Sequence, residues 1–146
     1  MKKHFLIFSL FVLSLTTSVS VNAQVLSVQQ IENSIKNDGK YALLVQNSNH
    51  FMASVMTGEE YKNKSSDIQF EIVLIGKVVK DLAINKELQP LVEKAQKLGI
   101  RIVVCEFAMN KLGVKKSDYH SYVETTSNGF TYFFGLQENG FKTISL

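Results

Sequence analysis

The sequence has one cysteine, one proline and no large excess of either charge. A single cysteine excludes a disulfide framework, so the fold must stand on its hydrophobic core alone. The lone proline, Pro90, and the lack of any low-complexity stretch or internal repeat leave no linker long enough to divide the chain. Basic side chains exceed acidic ones by only three. Lys111, Lys115 and Lys116 cluster, but such a trio reads as a solvated face, and no nucleic-acid partner is expected. Histidines are few, and no metal-ligand spacing links them to Cys105, so no metal is expected. Gly76 and Gly113 are isolated rather than part of a phosphate-binding loop, so no flavin or nucleotide cofactor is expected. No Ser-His-Asp arrangement can be argued.

What is present begins with a leader. Lys2 and Lys3 precede an apolar run from Phe5 to Leu15, broken only by Ser9 and Ser14. Val21-Asn22-Ala23 then offers residues that signal peptidase accepts before a cut. The expectation is a signal peptide over residues 1–23, a mature domain over 24–146, and an exported, periplasmic protein. The apolar run is short for a membrane span of about 20 residues, so no stable membrane insertion is expected after cleavage. With no cysteine near the cut, a lipoprotein is not expected. Loss of Lys2 and Lys3 takes the formal charge from +3 to +1.

Strand-like and helix-like segments alternate along the mature chain. Ser27 and Gln30 form a capping box for a helix carrying Val28, Ile31 and Ile35, with Gly39 as its end. Tyr41 to Val45 reads as a strand. Phe51, Met52, Val55 and Met56 mark one helix face, with the methionines packed in the core, and a polar loop covers Asn63 to Asp67. Phe70 to Ile75 is apolar at nearly every position, as a strand buried on both faces should be, and Gly76 ends it. Leu88, Leu91, Val92, Ala95 and Leu98 recur at helical spacing, with Pro90 in the first turn and Gly99 as the stop. Ile100 to Cys105 is a third buried strand, followed by a short helix over Ala108–Leu112 that ends at Gly113. Ser117 caps a turn through His120, and Val123 to Thr125 reads as a short strand. Ser127 caps a helix through Asn139 with Phe130, Phe133 and Phe134 inward and Tyr132 outward. Phe141 to Ile144 is the last strand. This alternation implies a three-layer α/β/α fold around a mostly parallel five-stranded sheet.

Chemistry in such sheets collects at the carboxyl ends of strands. Cys105 ends its strand and precedes a helix, whose N-terminus favours a thiolate. A thiolate attacks disulfides and accepts sulfane sulfur. Buried cysteine also serves simply as core filler. Glu106, His50 and Gly76 are auxiliary candidates. Strand alternation points Glu106 away from the thiol, and His50 approaches Cys105 only if the strand order brings their ends together. Asp118 and His120 read as solvated.

Several segments resemble the DsrE/DsrF-like sulfur-relay family. Phe70-Glu71-Ile72-Val73-Leu74-Ile75-Gly76 resembles its second strand and glycine. Glu87-Leu88-Gln89-Pro90-Leu91-Val92-Glu93-Lys94 resembles its following helix. Gly99-Ile100-Arg101-Ile102-Val103-Val104-Cys105-Glu106 resembles the strand ending in its Cys-Glu pair. Met109, Leu112 and Gly113 follow in order, then Gly129, Leu136-Gln137-Glu138 and Gly140-Phe141. The resemblance covers about half of the chain and implies a flavodoxin-like fold and homo-oligomers. It also implies a cysteine that carries persulfide between a sulfur-donor or thiol partner protein and an acceptor, a role falling on Cys105. The chain departs from the family pattern in having Phe107-Ala108 where Asn-Thr is frequent, and Lys77-Val78-Val79 where Gly-Pro-Gly is frequent. Two readings follow. One is an exported carrier or sensor of sulfane sulfur, rather than a hydrolase or oxidoreductase. The other is a non-catalytic homo-oligomeric binding module in which Cys105 only packs.

Overall fold

The computed structural model describes residues 25–146. The expected signal peptide, residues 1–23, lies outside the described residues. Eleven strands and α-helices follow one another: α1 (Val28–Glu32), β1 (Lys40–Val45), α2 (Ser48–Lys64), β2 (Gln69–Leu74), α3 (Val78–Ile84), α4 (Gln89–Leu98), β3 (Arg101–Cys105), α5 (Glu106–Leu112), β4 (Glu124–Thr126), α6 (Gly129–Glu138) and β5 (Lys142–Ser145). Short 3-10 turns at Lys86–Leu88 and Lys116–Asp118 join them. Among the described residues, no helix is long and apolar enough to cross a membrane.

The five strands form one sheet in the order β4-β3-β2-β1-β5, and every pairing is parallel. β2 is therefore central, which explains its unbroken burial after Gln69. The chain steps from β1 through β4 in one direction and then returns to lay β5 beside β1. Right-handed crossovers put the helices of the outward steps on one face and the helix of the return on the other. α2, α3, α4 and α5 accordingly bury Phe51, Val79, Val92 and Met109 with Ile72, Ile102 and Val104. α6 covers the opposite face, where Phe133 and Leu136 meet Ala42, Leu44, Val73, Ile75 and Cys105.

Local chemistry sets most boundaries. Ser27 and Gln30 do form the capping box, but α1 stops at Glu32 rather than running to Gly39. Val28 and Ile31 are exposed, so no packing extends the helix beyond its capped turn. α2 starts where Asn47 accepts the His50 N–H at 2.9 Å and runs through the start of the expected polar loop. Its buried stripe is Phe51, Ser54, Val55 and Gly58. That stripe turns Met52 and Met56 outward, to 45% and 61% exposure, and not into the core. The small residues let α2 lie close: a Cβ on Gly58 would stand 2.7 Å from Ile100 Cδ1.

Gly76, at φ 63°, turns the chain from β2 directly into α3. Three β-branched residues, Val78, Val79 and Ile84, in a seven-residue helix give a poor helical signal in the sequence. Burial overrides propensity: Val78, Val79 and Leu82 are inaccessible or nearly so. Pro90 sits in the first turn of α4, and Gly99 closes it in the left-handed conformation. The cap of α6 is Asn128, not Ser127. Its Oδ1 accepts the N–H groups of Phe130 at 2.9 Å and Thr131 at 3.4 Å.

Candidate functional site around Cys105

Strand alternation along β3 sends Ile102 and Val104 to the four-helix face, and Cys105 to the α6 face. The Cys105 side chain is 4% exposed. Its Sγ accepts the backbone N–H of Gly129 at 3.2 Å. Gly129 is the first residue of α6, so the positive end of a ten-residue helix points at the sulfur. The helix anticipated for this role was the one following Cys105. That helix, α5, takes Cys105 as its N-cap residue without a side-chain capping bond.

The close approach depends on Gly129 having no side chain. A Cβ there would stand 2.7 Å from Ile75 Cγ2 and 3.1 Å from Cys105 Cβ. Gly129 matched a family position in the sequence, but nothing local linked it to Cys105, which is 24 residues away.

Cys105 lies in the wall of a cleft of about 430 Å³. Ile75, Gly76, Phe107, Ala108, Leu112 and Phe130 supply its apolar lining, with Gln46, Lys77 and Lys111 as polar members. Gly76 thus belongs to the same site as the thiol. Glu106 is held elsewhere. Its Oε1 accepts the Thr125 hydroxyl at 2.6 Å, and Thr125 pairs in register with Val104, whose side chain faces away from Cys105. His50 is not brought to the site. β2 separates β1 from β3, and the His50 ring pairs with Asn47 at 3.0 Å. Asp118 accepts the Lys115 N–H at 2.7 Å, and His120 accepts from Tyr122 N at 3.2 Å. Among the described residues, no group of three or more histidine, cysteine, aspartate or glutamate side chains could hold a metal.

Near the cleft rim, Asp81 accepts Lys77 Nζ at 2.7 Å and Ser48 Oγ at 2.8 Å. Burial works to raise the Asp81 carboxyl, but these hydrogen bonds and the lysine charge outweigh it and hold it below its usual range. At the opposite end of the α6 face lies a polar network. Arg101 forks onto Glu124 with two bonds of 2.7 Å and approaches Glu71 at 3.5 Å. Tyr132 donates its hydroxyl to Glu71 Oε2 at 2.7 Å. Burial, then the hydrogen bond to Glu71 and its charge, push ionisation of Tyr132 well above the usual tyrosine range. Tyr132 is therefore half-buried and bonded rather than outward. Phe130 and Phe134 are the aromatics of α6 that stand exposed, at 55% and 63%.

The model of the DsrE/DsrF/DrsH-like family matches residues 16–141. Two solved structures share the fold. A protein of unknown function, MTH1491 from Methanobacterium thermoautotrophicum, is 18% identical with a TM-score of 0.62, over 75% of this chain and all of its own. A conserved protein of unknown function, BT1422 from Bacteroides thetaiotaomicron, is 22% identical with a TM-score of 0.62, over 78% of this chain and all of its own. No curated protein matches the chain.

Proposed function

Because the chain belongs to the DsrE/DsrF/DrsH-like family, we propose that it carries sulfane sulfur as a persulfide on Cys105, and that it does so after export. The observation that carries this reading is the Gly129 N–H aimed at Cys105 Sγ at the wall of an open cleft. A donated N–H and a helix N-terminus suit a sulfur anion. In the transfer, the Cys105 thiolate attacks the outer sulfur of a donor persulfide. The new S–S bond forms at Cys105 as the donor's own S–S bond breaks. The donor thiolate leaves with the bonding electron pair, and no outside oxidant is consumed. Gly76 and the apolar cleft walls shield the bound sulfur from water. Glu106, bonded to Thr125, keeps its negative charge away from the sulfur anion.

Intact-mass analysis after incubation with a persulfide donor tests this reading. The folded protein gains one sulfur atom, reversibly on reduction, and Cys105→Ser gains none. A thiol that takes up sulfur only after unfolding would overturn it.

A second reading has its own observation. Phe107, Phe130 and Phe134 are 64%, 55% and 63% exposed, an apolar surface of the kind that marks an interface. On this reading the protein is a homo-oligomeric binding module and Cys105 packs against α6. Sedimentation of Phe130→Ser and Phe134→Ser variants tests it. Dissociation of the variants to monomers with their thermal unfolding unchanged supports an interface, and a wild-type monomer removes it.

A further inference from the structure

We propose that the cleft beside Cys105 binds a small amphipathic anion, an apolar body bearing one carboxylate or sulfonate, whether or not the thiol carries sulfur. The cleft has the size and character of a small-molecule site: about 430 Å³, with largely apolar walls and few polar groups. Its apolar walls come from three separate segments, with Ile75 after β2, Phe107 and Leu112 from α5, and Phe130 from α6. Phe107 and Phe130 remain mostly exposed, so covering them with an apolar ligand removes area from water.

The charges on the lining have one sign. Lys77 and Lys111 are present, and no aspartate or glutamate is. Lys77 is already paired with Asp81. Among the described residues, Lys111 forms no salt bridge; its ammonium lies 5.8 Å from the centroid of the Phe107 ring. A cation beside an aromatic wall fits a ligand with its charge at the rim and its body inside. The other large depression of the α6 face lacks this character. It is lined by Glu71, Arg101 and Tyr132, whose charges and donors already satisfy one another.

The test titrates the folded full chain with decanoate, decanol and decylammonium at sub-micellar concentration, followed by amide NMR shifts. Decanoate binds saturably and moves the amides of Gly76, Phe107, Lys111 and Phe130. Decanol binds more weakly, and decylammonium does not bind the cleft. Lys111→Glu weakens decanoate by about fivefold, the upper range for one exposed ion pair. Phe130→Ser weakens it by about tenfold through lost apolar contact. Both side chains are on the surface, and unchanged thermal unfolding verifies the fold of each variant. Cys105→Ser retains decanoate binding, which separates this inference from the persulfide reading. Equal binding of all three probes, indifference to Lys111→Glu, or shifts scattered away from these residues overturns the proposal. So does a protein that ignores monomeric decanoate but pellets with phosphatidylglycerol vesicles, which would mark a membrane-facing surface instead.

Discussion

At the scale of single residues, the site rests on Gly129 as much as on Cys105. The 3.2 Å contact from Gly129 N to Cys105 Sγ exists because no side chain intervenes. Gly129→Ala would put a methyl group 2.7 Å from Ile75 Cγ2 and 3.1 Å from Cys105 Cβ. α6 must then shift away from the sheet. The expected cost is about 1–3 kcal/mol, as for other overpacked cores, read by chemical denaturation. The same variant should change the alkylation rate of the folded protein severalfold, because the sulfur loses its N–H partner. Cys105 itself was legible in the sequence as a thiol at a strand end. Its partner was not, because a hydrogen bond across 24 residues leaves no local pattern.

At the scale of elements, α6 decides the environment of the thiol, and two contacts hold it. Its N-terminus meets Cys105, and Tyr132, one turn along, reaches down to Glu71 on β2. Glu71 is 7% exposed and shares Arg101 with Glu124. Tyr132→Phe leaves one oxygen of a buried carboxylate without its donor, which costs about 1–3 kcal/mol. Because the Tyr132–Glu71 hydrogen bond lies on the helix whose first N–H meets Cys105, the variant also changes the Cys105 alkylation rate of the folded protein, measured well below its unfolding transition. Adding Glu71→Gln to Tyr132→Phe recovers part of the stability, since a neutral amide costs less than a carboxylate to leave without that donor. The sequence marked α6 as aromatic-rich and Phe133 as inward. Packing on the sheet buries Phe133 with Leu136, at i and i+3, and leaves Phe130 and Phe134 outward.

At the scale of the whole molecule, titrating groups tie stability to pH at both ends. The hydrogen bonds from Arg101 hold Glu124 below its usual range. Its folded value is lower than its unfolded one, so its contribution is full above about pH 4.3 and is lost as pH falls through the folded value. Tyr119 is the opposite case. Burial, with the nearby Asp118 charge, pushes its hydroxyl up to about 12, and that hydroxyl donates to Val79 O at 2.8 Å. Its contribution is full below about pH 10 and is lost as pH rises toward the folded value. Thermal unfolding across pH should show both limbs. Glu124→Gln flattens the acid limb by a small amount, because the pair is exposed. Tyr119→Phe lowers stability at neutral pH by about 1 kcal/mol and flattens part of the alkaline limb, with Tyr132, Tyr122 and Tyr61, each also raised chiefly by burial, contributing the rest.

The sequence by itself determined the layer architecture, because apolar runs of strand length alternating with helical periodicity have few packings that bury them. It also determined the turns at Gly76, Gly99 and Gly113, where a positive φ is required, and the position of Cys105 at a strand end. Only the tertiary structure decided which face of β3 carries the thiol, which helix meets it and which side chains share its cleft. Those outcomes depend on the return of β5 to the side of β1, which places α6, among the described residues, on the face opposite the other sheet-covering helices. Strand order is set by long-range packing and crossover handedness, and no short stretch of residues records it.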